Sequence, residues 1–226
     1  MQRQYMSRKR LNVVGLFSGN RCWEKPFIEA GHRVFTTDLD PSYLVTVAAD
    51  VRKITPKIIR HFIGRDIDVL VMSPPCTTFS IASCGHHWHP PEANGDRKPK
   101  TKEAADALKI LDHCLDLVQQ IKPKYWIMEN PRGLMRKMPQ VQHLRRETVW
   151  YCQYGDTRAK PTDLWGVWPD QFTPRPECKN GNPDCHHQRA RRGAKTGTQG
   201  LPKNMRSLIP DELCADWFDA VEEALR

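Results

Sequence analysis

Short apolar runs alternate with amphipathic stretches along most of the chain. Apolar runs that are typical of buried strands occupy residues 11–19, 32–40, 66–73 and 124–131. Between them lie stretches with helical spacing of apolar residues, at 21–31, 41–48, 56–63 and 101–123. Two later runs, RETVWYCQYG and DLWGVW, predict paired strands that close the sheet. We therefore predict an α/β fold with a doubly wound, mostly parallel sheet and helices on both of its faces.

Two regions interrupt this alternation. Residues 80–100 are polar and rich in Gly, Pro and His, which predicts a long mobile loop. Residues 169–203 lose all periodicity and are dominated by Pro, Gly, Arg, Cys and His. A final amphipathic helix follows. The sequence thus predicts four parts, which are a basic tail at 1–10, a core at 11–168, a small irregular segment at 169–203 and a C-terminal helix at 204–226 that returns to the core.

Charge and cysteine content narrow the class of protein. The 226 residues carry 35 Lys and Arg against 26 Asp and Glu, a net charge of +9, which suits a polyanionic partner such as nucleic acid. The 8 cysteines are scattered, which indicates mostly reduced thiols. No apolar run approaches the roughly 20 residues that span a membrane, and no signal-peptide pattern follows the basic start. We expect a cytoplasmic protein that does not enter a membrane.

Four chemically distinctive stretches fall at the ends of predicted strands, where an open α/β sheet places its ligands. Small residues after the first strand let a ligand approach the backbone, and Asp38 can accept hydrogen bonds from ribose hydroxyls. Two prolines hold Cys76 on a rigid loop, and Glu129 ends a later strand. Each feature alone also has a structural explanation, as a tight turn, a helix cap, a buried thiol or an ion pair. The four stretches are GLFSGNRCW at 15–23, TTDLD at 36–40, SPPC at 73–76 and MENP at 128–131.

In this order, the four stretches resemble the DNA (cytosine-5)-methyltransferase family, over residues 11–166. The compact chain is similar to phage-encoded members of the family. The resemblance implies transfer of a methyl group from S-adenosylmethionine to carbon 5 of cytosine in duplex DNA, with the base flipped out of the helix. Cys76 would add to carbon 6 of the base as the nucleophile. Glu129 would hydrogen-bond to ring nitrogen 3 and the exocyclic amine.

The resemblance also implies which residues contact the cofactor and the DNA. The glycine turn would lie against S-adenosylmethionine, with Asp38 on the ribose and an apolar contact to adenine. The loop at 80–100 would close over the DNA, where Trp88 fills stacking space. The expected cofactor residues are Phe17, Ser18, Gly19, Asp38, Leu39, Asp50, Val51, Ser73 and Pro74.

The sequence departs from the family pattern at three places. Thr77 follows the Pro-Cys pair, where the family usually has Gln. The stretch YGDTRAKPTDLWG at 154–166 replaces the family's Gln-x-Arg-x-Arg, so that Arg158, Lys160 and Thr162 are the candidates for contacts to the flipped base. We favour Arg158 or Lys160 as the cation near the cytosine carbonyl. Before the last helix, Arg206-Ser207 replaces the usual Gly-Asn.

The irregular segment corresponds to a very short target-recognition region. Its residues Cys178, Cys185, His186 and His187 suggest a zinc site that staples the segment. Alternatively it is a flexible basic segment that contacts phosphates. The residues expected to contact DNA there are Arg189, Arg191, Arg192 and Lys195.

Several alternatives stay open at the level of sequence. The same core residues suit cytosine-5 methylation of RNA, and a non-catalytic nucleic-acid-binding relative would keep the fold. A modified sulfonium donor would deliver a group other than methyl. So small a recognition segment predicts a short target site, and one active site on one duplex predicts a monomer. The recognition sequence itself, and a role in protection from restriction or in regulation, are not encoded in these motifs.

Overall fold

A single mixed sheet forms the centre of the computed structural model, which describes residues 9–93, 95–188 and 201–226. The strand order across the sheet is β3-β2-β1-β4-β5-β7-β6. All neighbours from β3 to β5 are parallel, and only β7 runs against both of its neighbours. The predicted doubly wound, mostly parallel sheet is confirmed. The strands are β1 (Asn12–Leu16), β2 (Arg33–Asp38), β3 (Val47–Ala48), β4 (Val69–Met72), β5 (Tyr125–Pro131), β6 (Arg146–Trp150) and β7 (Pro161–Val167).

Helices cover both faces of the sheet, as the alternating pattern predicts. One apolar cluster contains residues of α2 and α4, and a second cluster on the other face contains residues of α1 and α7. Thr101 caps α4 by accepting a hydrogen bond from the Ala104 amide, at 3.2 Å. None of the described helices is long and apolar enough to cross a membrane. The helices are α1 (Lys25–Glu29), α2 (Pro56–Ile63), α3 (Cys84–His87), α4 (Lys102–Ile121), α5 (Pro139–Gln142), α6 (Lys203–Arg206) and α7 (Asp211–Ala224).

The predicted helix at 41–48 is wrong. The Ser42 amide donates to the side chain of Asp40, which forms a turn instead. Backbone and hydroxyl groups of Thr46 and Thr36 then exchange hydrogen bonds of 3.0–3.1 Å, so that the chain runs beside β2 and pairs with it as β3. So short an apolar stretch carries no helix of its own.

The region at 80–100, predicted as one long loop, contains regular structure. It includes α3, and an isolated β-bridge joins Trp88 to Pro99. The hydroxyl of Ser83 donates to the Thr77 carbonyl, which ties the start of this region back to the loop after β4.

Candidate active site

The carboxyl ends of four adjacent strands bring the distinctive stretches to one edge of the sheet. Leu16 lies opposite both Thr37 and Met72, and Met72 lies opposite Met128. The residues that follow these four positions therefore meet at the same edge. They include the turn at 17–19, Asp38, the loop at 73–76 and Glu129.

The turn after β1 has an unusual backbone conformation. Phe17 and Gly19 have φ angles of +61° and +45°, in the left-handed region. The Ser18 amide donates to the carbonyl of Thr37, and the Gly19 amide donates to the Asp38 carboxylate, both at 2.9 Å. The turn is thus pinned to the end of β2, where small side chains leave room for a ligand.

Asp38 and Leu39 lie beside this turn with capacity for a ligand. The second oxygen of Asp38 accepts the Asp40 amide at 3.0 Å, and lone pairs remain for further donors. Leu39 is 70% exposed. A hydroxyl-bearing sugar next to an apolar ring, as in a nucleoside, fits this pair of residues.

Asp50 and Val51 are held by local contacts. The Asp50 carboxylate caps a 3-10 turn at Val51–Lys53 and accepts hydrogen bonds from the backbone and guanidinium of Arg52. The contact with Arg52 lowers the pKa of Asp50 to about 2. Val51 is buried in the core. Their own groups are thus already partnered or buried, and their place at the edge of the adenine stays a prediction.

Glu24, which the sequence analysis did not single out, lies buried beneath the turn. It accepts a hydrogen bond from the Ser18 hydroxyl at 2.7 Å, and burial raises its pKa to about 7. A Cβ atom on Gly15 would lie 1.8 Å from the Glu24 carboxylate, so that only glycine fits there. Position 24 follows a tryptophan in an apolar stretch, and this is the one signal in the sequence that it is buried.

The Pro-Pro-Cys loop is anchored by the asparagine of the Glu-Asn-Pro stretch. The buried amide of Asn130 donates to the Pro74 carbonyl at 2.8 Å. The Phe79 amide donates to the Cys76 carbonyl at 3.1 Å and closes a turn. Between these two anchors Cys76 is exposed. A thiol on a fixed and accessible loop is suited to nucleophilic attack.

Glu129 lies buried behind this loop. The phenol of the fully buried Tyr151 donates to one of its carboxylate oxygens at 3.0 Å. Burial raises the pKa of Glu129, while Lys160, Tyr151 and the neighbouring Ser73 hydroxyl lower it in part. The carboxyl group is therefore held in one orientation, in surroundings that favour its neutral form.

The structure separates the two candidate cations, Arg158 and Lys160. Arg158 is buried, pairs with Asp156, and donates to the backbone carbonyls of Met205, Arg206 and Leu208. Because these contacts occupy its guanidinium, Arg158 holds the chain before α7. The prediction that Arg158 is the cation near the cytosine carbonyl is therefore corrected, and its role is structural. Thr162, the third candidate, is fully buried and donates to the Lys160 carbonyl.

Lys160 is the cation that faces the site. Its ammonium lies 4.4 Å from the centre of the Tyr151 ring and donates to the Arg206 carbonyl at 3.0 Å. Burial lowers the pKa of Lys160, and the nearby Glu129 carboxylate opposes that shift. Lys160 has a φ angle of +26°, a local conformation that could not be predicted from the sequence.

The reactivity of the Cys76 thiol depends on the charges around it. Desolvation and the charge of Glu129 raise the pKa of Cys76, whereas Lys160 and Arg206 lower it. Arg206 was not among the candidate residues for catalysis. Its signal in the sequence is the replacement of the family's Gly-Asn by Arg206-Ser207.

The prediction that Trp88 contacts DNA is wrong. Its side chain is 1% exposed and stacks on Phe79 with a distance of 5.6 Å between ring centres. Its indole N–H donates to the Thr78 carbonyl at 2.8 Å. The tryptophan therefore fixes the loop from beneath, and the large apolar side chain exposed in this loop is that of Ile81, at 71%.

The predicted metal ligands come together with one replacement. Single ligand atoms of Cys152, Cys178, Cys185 and His187 all lie within 4.8 Å of one another. His186 is not part of this group, because its Nε2 atom pairs with the Asp156 carbonyl at 3.1 Å. Cys152 was missed because it lies far upstream, next to β6, where spacing rules for metal motifs do not reach.

The four basic residues expected to contact phosphates lie outside the described residues. These are Arg189, Arg191, Arg192 and Lys195.

Comparison with known proteins gives three consistent similarities. Residues 40–145 match the family model of C-5 cytosine-specific DNA methylases, a range that includes Cys76 and Glu129. A protein of frog virus 3 (isolate Goorha), named a probable DNA (cytosine-5)-methyltransferase, is 27% identical over 229 residues, which cover 92% of this chain and 99% of that protein. A protein of Methanocaldococcus jannaschii assigned as a type II methyltransferase is 28% identical over 148 residues, 61% of this chain and 44% of that one.

A solved structure shares the fold. It is that of a protein assigned as a DNA modification methyltransferase and encoded within an Escherichia coli prophage, with a TM-score of 0.51 and 19% identity. The match covers 74% of this chain and 52% of the prophage protein. The chain thus spans nearly the whole viral relative but only about half of the other two proteins.

Proposed function

We propose that the chain is a C-5 cytosine-specific DNA methylase, as its similarity to that family indicates, and that Cys76 attacks a flipped-out cytosine of duplex DNA covalently. The reaction of the family is methylation of cytosine at carbon 5 with S-adenosylmethionine as the donor. The proposal concerns how the residues of this chain carry out that reaction. It rests on one observation above all, which is that exposed Cys76, buried Glu129 and the ammonium of Lys160 lie together at one edge of the sheet, where Tyr151 contacts both Glu129 and Lys160.

The thiol is needed because carbon 5 of cytosine is a poor nucleophile. The Cys76 thiolate forms a bond to carbon 6, and the electron pair of the ring double bond then makes carbon 5 reactive. Carbon 5 takes the methyl group, whose former bond to the donor sulfur breaks. Loss of the proton from carbon 5, followed by cleavage of the bond from sulfur to carbon 6, restores the double bond and frees the thiolate.

Glu129 favours this addition from the other side of the ring. In its neutral form the carboxyl group donates a hydrogen bond to ring nitrogen 3, which stabilises the electron density that the thiolate pushes into the ring. The raised pKa of Glu129 and the fixed contact to Tyr151 support this role. Lys160 is placed to stabilise negative charge on the cytosine carbonyl, and its charge favours the Cys76 thiolate.

Flipping of the base follows from the same geometry. Nitrogen 3 of a paired cytosine is occupied by guanine, and stacking covers both faces of the ring. A buried carboxyl group at nitrogen 3 and a thiol above carbon 6 therefore require the base to leave the helix.

The turn after β1 provides a fitting cofactor site. When bound, S-adenosylmethionine supplies the electrophilic methyl group. Phe17, Ser18 and Gly19 would line it, Asp38 would hold it through a ribose hydroxyl, and Leu39 would contact the adenine with its exposed apolar surface. Ser73 and Pro74 lie at the neighbouring strand end. Their positions next to the Cys76 loop support this assignment.

The deciding experiment combines methyl transfer with covalent trapping. Purified protein is incubated with methyl-labelled S-adenosylmethionine and unmethylated duplex DNA, and the bases are then analysed. We expect label in 5-methylcytosine. Duplex DNA with 5-fluorocytosine is expected to stay attached to the protein, because fluorine cannot leave carbon 5 as a cation in place of the proton.

Two cysteine variants make this test specific. Cys76→Ala is expected to abolish both methylation and trapping. Cys84→Ala removes a neighbouring thiol, which donates to the Ile81 carbonyl in its own loop, and is expected to retain both. Methylation by folded Cys76→Ala would refute the covalent role. Absence of label on DNA from folded wild-type protein would refute DNA as the substrate; transfer RNA would then be tested, and failure there would leave a binding protein without catalysis.

A further inference from the structure

The side chains of Cys152, Cys178, Cys185 and His187 form a compact group away from the proposed nucleophile. We propose that they bind one structural zinc ion, which fastens the irregular segment at 169–188 to the strand that supports the active site. Three thiolates and one imidazole form a typical ligand set of a structural zinc site. The segment bears Cys178, Cys185 and His187, whereas Cys152 belongs to a 3-10 turn at Tyr151–Tyr154, directly after β6.

The distances within the group suit tetrahedral coordination. All four ligand atoms lie within 4.8 Å of one another, and the Cys178 sulfur is 3.8 Å from Nδ1 of His187. Zinc bonds of about 2.3 Å to sulfur and about 2.0 Å to nitrogen place neighbouring ligand atoms of a tetrahedron roughly 3.5–3.8 Å apart. Closure around an ion therefore needs only small side-chain movements.

Two of the three sulfurs face a hydrogen-bond donor. The Asn182 amide donates to Cys178 at 3.8 Å, and the Gln153 amide donates to Cys152 at 3.9 Å. Donors directed at sulfur stabilise thiolates, which are the form that binds zinc, and they are the outer contacts that orient metal ligands.

The imidazole of His187 is buried and faces the group. The residue is only 7% exposed, and its Nδ1 atom lies 3.8 Å from the Cys178 sulfur. A buried imidazole nitrogen ordinarily has a polar partner in the protein. One disulfide within this group would leave the third sulfur and the histidine unexplained, whereas a metal ion uses all four side chains.

The segment needs such a fastening because it has little structure of its own. Residues 169–188 contain no helix or strand. The start of the segment is anchored to α7 through Phe172 and Arg175. Its later part lies around the proposed site, where Cys178 packs against Trp150 and Cys152. Beside it, the Gln188 amide donates to the Thr157 carbonyl at 2.8 Å. Small irregular segments without a core are commonly held by a metal or a disulfide.

The site would thereby link target recognition to catalysis. Tyr151, next to Cys152, holds Glu129, and the loop that leads to Lys160 packs against the same cluster through Ala159. The basic stretch that begins at residue 189 follows His187 almost at once in the sequence. Zinc bound to His187 would fix the position of the chain just before that basic stretch.

Metal content of the purified protein tests the proposal without reference to activity. Full-length protein, prepared with a reducing agent and without added metal or a polyhistidine tag, is analysed by mass spectrometry of its metals. We expect about one zinc per chain. Cys178→Ser and His187→Ala should lose most of the metal, whereas His186→Ala, which removes the adjacent histidine outside the group, should keep it.

Cobalt substitution keeps the test decisive if the cysteine variants fail to fold. Wild-type protein in which Co²⁺ replaces the native metal should show the intense visible bands of tetrahedral cobalt and strong charge-transfer absorption from thiolates. Wild-type protein that contains no zinc and takes up neither Zn²⁺ nor Co²⁺ would overturn the proposal. So would octahedral cobalt without thiolate absorption, or a variant series in which His186→Ala loses the metal and His187→Ala keeps it.

Discussion

Burial and three charged side chains together affect the pKa of Cys76, which burial raises. Glu129 disfavours the thiolate, while Lys160 and Arg206 favour it. The same Lys160 charge also favours ionisation of Glu129, which must be neutral in order to donate to the base. Lys160 thus favours the reactive thiolate of Cys76 but disfavours the neutral carboxyl group of Glu129. The pH range in which both groups are in their active forms therefore depends on Lys160.

Replacing Lys160 with Met should shift the pH profile of methylation as a whole to higher pH. Without the positive charge, the thiol of Cys76 ionises at higher pH, and Glu129 stays neutral to higher pH. Both limbs of kcat/KM against pH should therefore move in the same direction. The measurement is the initial rate of methyl transfer on duplex DNA, across the range in which the protein stays folded.

Lys160→Arg is the matched control, because it keeps the charge at a position with the same backbone conformation. We expect its two limbs to stay close to those of the wild type. If Lys160→Met lowers the rate but leaves both limbs where they are in the wild type, then the charge of Lys160 does not govern the ionisation of Cys76 and Glu129, and this proposed effect is wrong.

Local sequence patterns identified some of these residues and not others. Cys76 and Glu129 could be predicted because each follows an apolar strand in a distinctive tripeptide. Arg158 and Lys160 could not be separated, since which of them faces the site depends on a positive φ at residue 160 and on the partner Asp156. Tyr151 and Arg206 reach the site from distant parts of the chain, and only the packed structure brings them there.

At the scale of elements, the strand, turn and helix around the cofactor site depend on a buried carboxyl group. Glu24 links the beginning of α1 to the turn through the Ser18 hydroxyl. Its pKa is about 7 in the folded protein, compared with an ordinary value of 4.5. The folded state therefore binds this proton more tightly than the unfolded state, so that raising the pH through this range lowers stability.

We expect Glu24→Gln to flatten the pH dependence of stability. Between about pH 4.5 and 7, ionisation of Glu24 should cost the wild type roughly 3 kcal/mol of unfolding free energy, at 1.36 kcal/mol per pKa unit. Gln cannot ionise, yet it still accepts a hydrogen bond from Ser18. Urea unfolding at a series of pH values measures the effect. Curves that fall equally with pH for both proteins would show that Glu24 does not titrate in this range.

The two antiparallel strands at the sheet edge depend on a buried ion pair. The carboxylate of the fully buried Asp163, on β7, pairs with Arg136 and accepts the Thr148 hydroxyl from β6 at 2.8 Å. Removal of one partner from a buried pair leaves the other charge without compensation. The network thus holds β6, β7 and the turn at Leu134–Lys137 together.

Asp163→Ala should lower the free energy of unfolding by about 3 kcal/mol or more. Asp106→Ala is the control, since Asp106 pairs with Arg52 at 3.5 Å near the surface and should contribute less than about 1 kcal/mol. Both values come from denaturant unfolding monitored by tryptophan fluorescence. Equal losses in the two variants would contradict a special role for the buried pair.

Elements were predictable in proportion to their length and regularity. The spacing of apolar residues at 101–123 predicts α4 almost to its ends, and the run before Ser73 predicts β4. The stretch at 41–48 was wrongly predicted as a helix. Some of its apolar residues form a two-residue strand, and others lie on the surface, where Leu44 is 74% exposed. The prediction that Trp88 contacts DNA was wrong for a similar reason. Its neighbours in the sequence are polar, and they do not reveal that Phe79 packs against it.

At the scale of the whole molecule, the positive net charge and the sheet edge that bears Cys76 and Glu129 both favour DNA as the partner. The net charge is +9. Tyr151, which donates to Glu129, is followed by Cys152, and Cys152 packs against the segment that leads into the basic stretch after residue 188. Contacts between basic side chains and phosphates release counterions, so that the logarithm of the binding constant falls linearly with the logarithm of the salt concentration. The slope counts phosphate contacts, whereas net charge alone does not.

Exchange of Arg189, Arg191, Arg192 and Lys195 for Gln should therefore reduce the magnitude of the salt slope for duplex DNA by about 3 to 4, at about 0.9 per phosphate contact. The control replaces four exposed cations elsewhere on the fold, Lys25, Arg33, Lys57 and Lys109, and lowers the net charge of +9 by the same four units. We expect the slope of the control to stay within about one unit of the wild type. Fluorescence anisotropy of labelled unmethylated duplex at several salt concentrations measures all three slopes. Equal reductions in both variants would mean that overall charge, and not the stretch after His187, governs the attraction to DNA.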